Sequence, residues 1–97
     1  MGRRASKVDI NQPKIVSDLR TIPGVRVTDL SKVGMGCPDI LVGYRGVNWL
    51  IEIKSEWAKE GKEFTAMQER WHDEWTGQKA VVWSFEQACE VIGFKGK

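Results

Sequence analysis

The chain has little of what marks a specialised architecture. Its 97 residues include two cysteines, Cys37 and Cys89, far apart and without C-x-x-C spacing. That excludes a disulfide framework and a cysteine zinc site, and fits reduced thiols in an intracellular protein. A single histidine, His72, has no second His or Cys to share a metal with. Placed between Trp71 and Asp73 on an expected helix, it reads as a structural or exposed side chain. No apolar run is long enough for a signal peptide or a membrane span, so a soluble cytoplasmic protein without a membrane partner is expected. Repeats and low-complexity tracts are missing too, which leaves one domain with one modest core. The formal net charge is only +2, too slight to announce a nucleic-acid partner by itself.

Distribution says more than the total. Arg3, Arg4 and Lys7 form a basic N-terminal arm, Lys95 and Lys97 close the chain, and Lys54, Lys59 and Lys62 fall near one another in the middle. Basic tails are commonly just solvated, although they can reach a phosphate backbone. Five tryptophans are many for this length; they suit either a small core or a subunit interface.

What the chain does have is a hairpin signal with acidic residues at its open end. Ile40 to Tyr44 and Val47 to Ile53 are apolar or alternating runs around a short turn at Arg45-Gly46. If Tyr44 pairs with Val47, counting outward sets Ile40 opposite Ile51 and Asp39 opposite Glu52. Opposed residues share a face, so the two carboxylates come within roughly 5 Å at Cβ. Lys54, two residues past Glu52, joins them on that face. Like charges so placed repel unless a hard cation sits between them, and oxygen ligands suit Mg²⁺, Mn²⁺ or Ca²⁺. A bulged three-residue loop would shift this pairing by one residue.

The plainer alternative is that Glu52 and Lys54 are an edge-strand ion pair of little energetic consequence. Three features weigh against it. Both charges interrupt the apolar strand Trp49-Leu50-Ile51-x-Ile53, where charge is costly unless paired or functional. The stretch Gly34-x-Gly36-x-Pro38 just before Asp39 lets a backbone approach something closely. Pro38 suits the first residue of a strand, where no ladder bond is lost.

These residues resemble a known pattern. Pro38-Asp39 followed by Glu52-Ile53-Lys54 looks like the PD-(D/E)xK motif of restriction-like nucleases. The wider context resembles the small stand-alone VRR-NUC proteins of phages and bacteria. It runs from Asp29-Leu30-Ser31 through Gly36-Cys37-Pro38-Asp39-Ile40-Leu41-Val42-Gly43 to Gln68-x-x-Trp71-His72. The resemblance implies Asp39, Glu52 and the Ile53 carbonyl as ligands of Mg²⁺, with Mn²⁺ able to substitute. It also implies Lys54 and Gln68 as catalytic neighbours of the water or phosphate. Ser31, Gly36, Lys59, Lys62 and the N-terminal arm would contact DNA. Four-way (Holliday) junctions and a homodimer are the implied substrate and assembly, in the cytoplasm of a bacterial host if the protein is phage-encoded. One position departs from the pattern: Asn11-Gln12-Pro13-Lys14-Ile15-Val16 has lysine where relatives commonly have glutamate. Asp9, Asn11 or Asp18 would have to replace it. Lys14 also motivates a different reading, a non-catalytic DNA-binding module with a degenerate site. A third keeps the nuclease but directs it to flap, single-stranded or ordinary duplex DNA.

The expected architecture is an α/β, restriction-endonuclease-like core in the order α-β-β-β-α-β-α, with a mixed sheet flanked by helices. Residues 1–7 form a flexible arm and 8–97 a single domain. Asp9 or Asn11 caps a first helix carrying Ile15, Val16 and Leu19, with Pro13 in its first turn and Pro23-Gly24 ending it. A strand runs from Val25 to Leu30, and Trp57 to Glu63 is an exposed, mobile loop. Phe64, Met67, Trp71 and Trp75 recur at helical spacing, placing a helix from Thr65 to Trp75 that ends at Gly77, with Gln68 beside the apolar stripe. Lys79 to Phe85 is the fourth strand and Glu86 to Ile92 the last helix.

Overall fold

The computed structural model describes residues 12–55 and 64–96. Residues 12–19 are helical (α1), followed by β1 (Arg26–Asp29), β2 (Ile40–Tyr44), β3 (Val47–Ile53), α2 (Ala66–Glu74), β4 (Lys79–Val82) and α3 (Phe85–Ile92). The sheet order is β1-β2-β3-β4. The first three strands run antiparallel and β4 lies parallel to β3. A parallel neighbour needs a crossover, and α2 is that crossover. The order is the α-β-β-β-α-β-α of a mixed sheet flanked by helices.

The register of the hairpin follows from its turn. Tyr44 pairs with Val47 and Ile40 with Ile51, joined by the two residues Arg45 (φ +52°) and Gly46 (φ +84°). Two positive φ values make a type I′ turn, whose twist matches the flanking strands. Arginine tolerates this conformation less readily than asparagine or glycine, so strand pairing holds it there.

Alternation then separates two faces. Val27, Ile40, Val42, Ile51, Ile53 and Val82 point one way and join Ile15, Val16 and Leu19 of α1 and Ala88, Cys89 and Ile92 of α3 in one buried cluster. Leu19, Ile40, Val42, Ile51 and Val82 are completely enclosed. Helix α3 begins at a Ser84 cap and ends at Gly93 with φ +86°, the left-handed stop that glycine allows. The opposite face carries Leu41, Leu50, Glu52 and Val81, and α2 approaches it.

Several boundaries are shorter than the sequence suggested. β4 stops at Val82 because Ser84 turns the chain into α3, so Phe85 begins the helix rather than ending the strand. α2 stops at Glu74, with Trp75 as an extended cap instead of a glycine stop at Gly77. Lys79 explains this end: its ammonium donates to the carbonyl of His72 and, at 2.7 Å, to that of Trp75, satisfying oxygens that a Gly cap would otherwise serve. None of the residues of α2 is fully buried, and none of Trp49, Trp71, Trp75 and Trp83 belongs to the enclosed core; Trp57 lies outside the described residues. The expected loop at 57–63 and the caps Asp9 and Asn11 also lie outside them.

Candidate active site

Pro38 is buried and delivers Asp39 in extended conformation immediately before β2. The Asp39 carbonyl accepts the Leu30 N–H at 2.8 Å, continuing the β1–β2 ladder by one step. Its carboxylate turns toward β3, where Oδ2 accepts the Ile53 N–H at 2.7 Å. Glu52 is next outward from the Ile40–Ile51 pair and is only 2% exposed. The two carboxyls are close enough for the charge of Asp39 to raise Glu52.

Lys54 and Gln68 complete the cluster. Lys54 Nζ lies 3.6 Å from Glu52 Oε2, and Gln68 Nε2 donates to that same oxygen at 3.2 Å. Gln68 Oε1 accepts from Lys54 Nζ at 3.4 Å and from the Thr65 N–H at 3.0 Å. Thr65 in turn caps the Gln68 N–H through Oγ1 at 3.1 Å. This reciprocal capping box fixes the Gln68 carboxamide, so the start of α2 is built into the site. Sequence reading passed over Thr65, although Thr65-x-x-Gln68 is a capping-box signature. It also passed over Phe64, whose ring centre lies 4.8 Å from Lys54 Nζ and stacks on His72 at 4.7 Å. His72 thus backs an aromatic wall behind the lysine; burial and the nearby lysines Lys79 and Lys54 hold it below the usual imidazole range.

Gly36 has a structural task. Its φ is +82°, and a Cβ there would stand 2.4 Å from the Met67 carbonyl oxygen. The close approach expected of this loop is therefore to the backbone of α2. Ser31 is exposed, and its N–H bonds Asp29 Oδ1 at 2.7 Å. Lys14 points to solvent and pairs with Asp18 at 3.1 Å, which occupies one of the acids considered as a replacement for the missing first-helix glutamate. Arg3, Arg4, Lys7, Lys59 and Lys62 lie outside the described residues.

Burial first, then the charge of Asp39, pushes Glu52 up to about 7 despite the opposing pull of Lys54. Asp39 is also raised, chiefly by burial. The neighbouring Cys37 thiol is raised by burial and by both carboxylates. Glu52 Oε1 is enclosed without any hydrogen-bond donor. Two adjacent carboxylates, one bearing an unanswered buried oxygen, fit a hard divalent cation, which would relieve both the desolvation and the mutual repulsion. Among the described residues no third Asp, Glu, His or Cys joins them.

A mixed four-stranded sheet with two carboxylates and a lysine at the open end of its central hairpin is the arrangement expected of a PD-(D/E)xK domain. A solved structure described as a VRR_NUC domain is 30% identical, spans 88% of this chain and 92% of its own length, and superposes with a TM-score of 0.62. The chain belongs to the VRR-NUC family. No protein-family model and no curated protein matches the sequence. No helix among the described residues is long and apolar enough to cross a membrane.

Proposed function

We propose that the protein is a divalent-metal-dependent DNA endonuclease, selective for branched DNA such as four-way junctions and working as a homodimer. The observation that carries the nuclease reading is the Asp39–Glu52 pair, with Glu52 buried, its Oε1 left without a donor, beside a half-buried Asp39.

Asp39, Glu52 and the Ile53 carbonyl would hold Mg²⁺ or Mn²⁺, which when bound lowers the pKa of a water and neutralises phosphate charge. Lys54 supplies positive charge where negative charge develops on the phosphate in the transition state. Gln68, fixed by Thr65, orients the lysine and offers an amide to water or phosphate. A two-fold dimer would present two such sites to a symmetric junction.

The test is incubation of the purified protein with a four-way junction, a flap, single-stranded DNA and a linear duplex in Mg²⁺ and in Mn²⁺. Symmetric nicks near the branch, abolished in Asp39→Ala and Glu52→Ala proteins, are expected. Junction binding without cutting in either metal would support the non-catalytic reading that Lys14 suggested. Cutting by a species that sediments as a monomer would remove the dimeric part of the proposal.

A further inference from the structure

Lys54 ends in a compact charge on a flexible aliphatic stem, and a charge of that kind acts on a phosphate only if it stands in one place. Small misplacements near a reacting centre cost large factors in rate. Its contacts with Glu52 Oε2 and Gln68 Oε1 are long, at 3.6 and 3.4 Å. Its side chain is only 11% exposed, so solvent contributes little to holding it.

A further hold comes from the residue before the α2 cap. The Phe64 ring is centred 4.8 Å from Lys54 Nζ, inside the roughly 6 Å within which an aromatic face attracts a cation, and that attraction grows as the cation is desolvated. The ring is itself fixed. It is half-buried and stacks on the His72 imidazole, with centroids 4.7 Å apart and planes 13° apart, while His72 meets the Trp71 ring edge-on at 5.0 Å. Burial, then Lys79 and Lys54, hold His72 below the usual imidazole range, so near pH 7 a neutral ring and not a competing cation lies against Phe64. The aromatic hold also differs in kind from the ionic one. A divalent cation on Asp39 and Glu52 would share the charge by which Glu52 attracts Lys54, whereas the quadrupole of a phenyl ring carries no net charge to be neutralised.

We propose that Phe64, its plane set by His72, is a positioning residue that holds the Lys54 ammonium in its working place through the face of its ring, acting through the lysine and not on the DNA. This rests on the reading of Asp39, Glu52 and Lys54 as a nuclease centre. A Phe64 that merely filled space beside α2 would be sensitive to the volume of the side chain and indifferent to the electrons of its ring.

The test replaces Phe64 by leucine, by tyrosine and by a series of progressively fluorinated phenylalanines, which drain charge from the ring face while nearly keeping its shape. Single-turnover cutting in Mg²⁺ is measured on the best-cut of the four DNA forms above. In the metal-free protein, NMR of the Lys54 ε-methylene protons gives a readout independent of cutting. Phe64→Leu should lower the maximal rate by about tenfold or more with the half-saturating DNA concentration unchanged, and Phe64→Tyr should restore most of it. The rate should fall stepwise along the fluorinated series. The Lys54 methylene signals should stand upfield in wild type, under the ring current of Phe64, and return to the ordinary lysine position in Phe64→Leu. His72→Ala should give a smaller fall in rate that His72→Phe reverses. If Phe64→Leu unravels the start of α2, the fluorinated series, which preserves the packing, still decides. The proposal is overturned if the rate is indifferent to fluorination, if a folded Phe64→Leu cuts as fast as wild type, if the loss lies in DNA affinity, or if the Lys54 signals do not move. Any of these in a wild type that cuts would leave the nuclease reading standing, whereas a wild type that cuts no DNA in Mg²⁺ or Mn²⁺ would overturn that reading and the role of Phe64 with it.

Discussion

The two faces of the sheet are built on opposite principles. The face under α1 and α3 is dry: Leu19, Ile40, Val42, Ile51 and Val82 are enclosed, and their shape and apolar area hold the helices down. The face under α2 buries a glutamate instead. Its helix is held by a Gln68–Glu52 hydrogen bond, by Lys79 on its last carbonyls and by a glycine that fits only as glycine. One face supplies stability, and the other spends some of it to keep charges close together.

Predictions follow from trying to break that division. The largest effect is expected in the site: Glu52→Ala or Asp39→Ala should lower DNA cleavage by at least about 1,000-fold, read in single-turnover assays, with circular dichroism unchanged. On the other face, Leu19→Ala should cost about 2–5 kcal/mol in urea unfolding, and cleavage by the remaining folded fraction should be unaltered.

The pH dependence of stability sharpens the contrast. Glu52 has an unfolded value near 4.5 and a folded value of about 7, so the native state keeps its proton to higher pH than the unfolded chain. The metal-free protein is therefore most stable, with respect to this group, below about pH 4.5, and loses stability as pH rises toward 7. The loss amounts to roughly 3 kcal/mol, and Asp39, also raised, adds in the same direction. Glu52→Gln should abolish most of that slope in chelator-containing melts, leaving the variant more stable than wild type at pH 8. A wild-type protein whose metal-free stability rises between pH 5 and 8 while the variant's does not would refute the assignment.

Smaller effects should come from the helix that joins the faces. Gln68→Ala should slow cleavage by about 10- to 100-fold and, by removing half of the capping box and a donor to Glu52, lower the melting temperature by a few degrees. Lys14→Ala removes only an exposed i,i+4 pair and should alter stability by no more than about 0.5 kcal/mol, with cleavage unchanged; a large loss of activity would place α1 in the site after all.

The dry face was the more legible in the sequence. Period-2 alternation in Ile40-x-Val42 and Ile51-x-Ile53, and helical spacing in Ile15, Val16 and Leu19, mark their own partners. The hairpin register was also readable, because Tyr44 and Val47 leave only Arg45 and Gly46 to turn on. The wet face was harder. The apolar spacing of Phe64, Met67, Trp71 and Trp75 gives a helix but not its orientation, and Met67 and Trp75 turn out to face solvent. Periodicity says that a stripe exists, not what it meets. Phe64 acts on Lys54 across a distance in sequence that local patterns do not span, whereas the Thr65-x-x-Gln68 capping box was local and could have been read; Gly36 could be read as a close approach without naming what it approaches.

The parallel placement of β4 carries a consequence for how the molecule is assembled. The β2–β3 hairpin closes over a short span and can pair early, whereas β4 must wait until the chain has passed over the sheet and the entropy of that longer closure has been met. Until α2 arrives, Glu52 stands in water with the acidity of an ordinary side chain. The raised proton affinity of Glu52 thus belongs to the folded sheet and not to the open chain, so folding of the metal-free protein between about pH 4.5 and 7 draws in a proton.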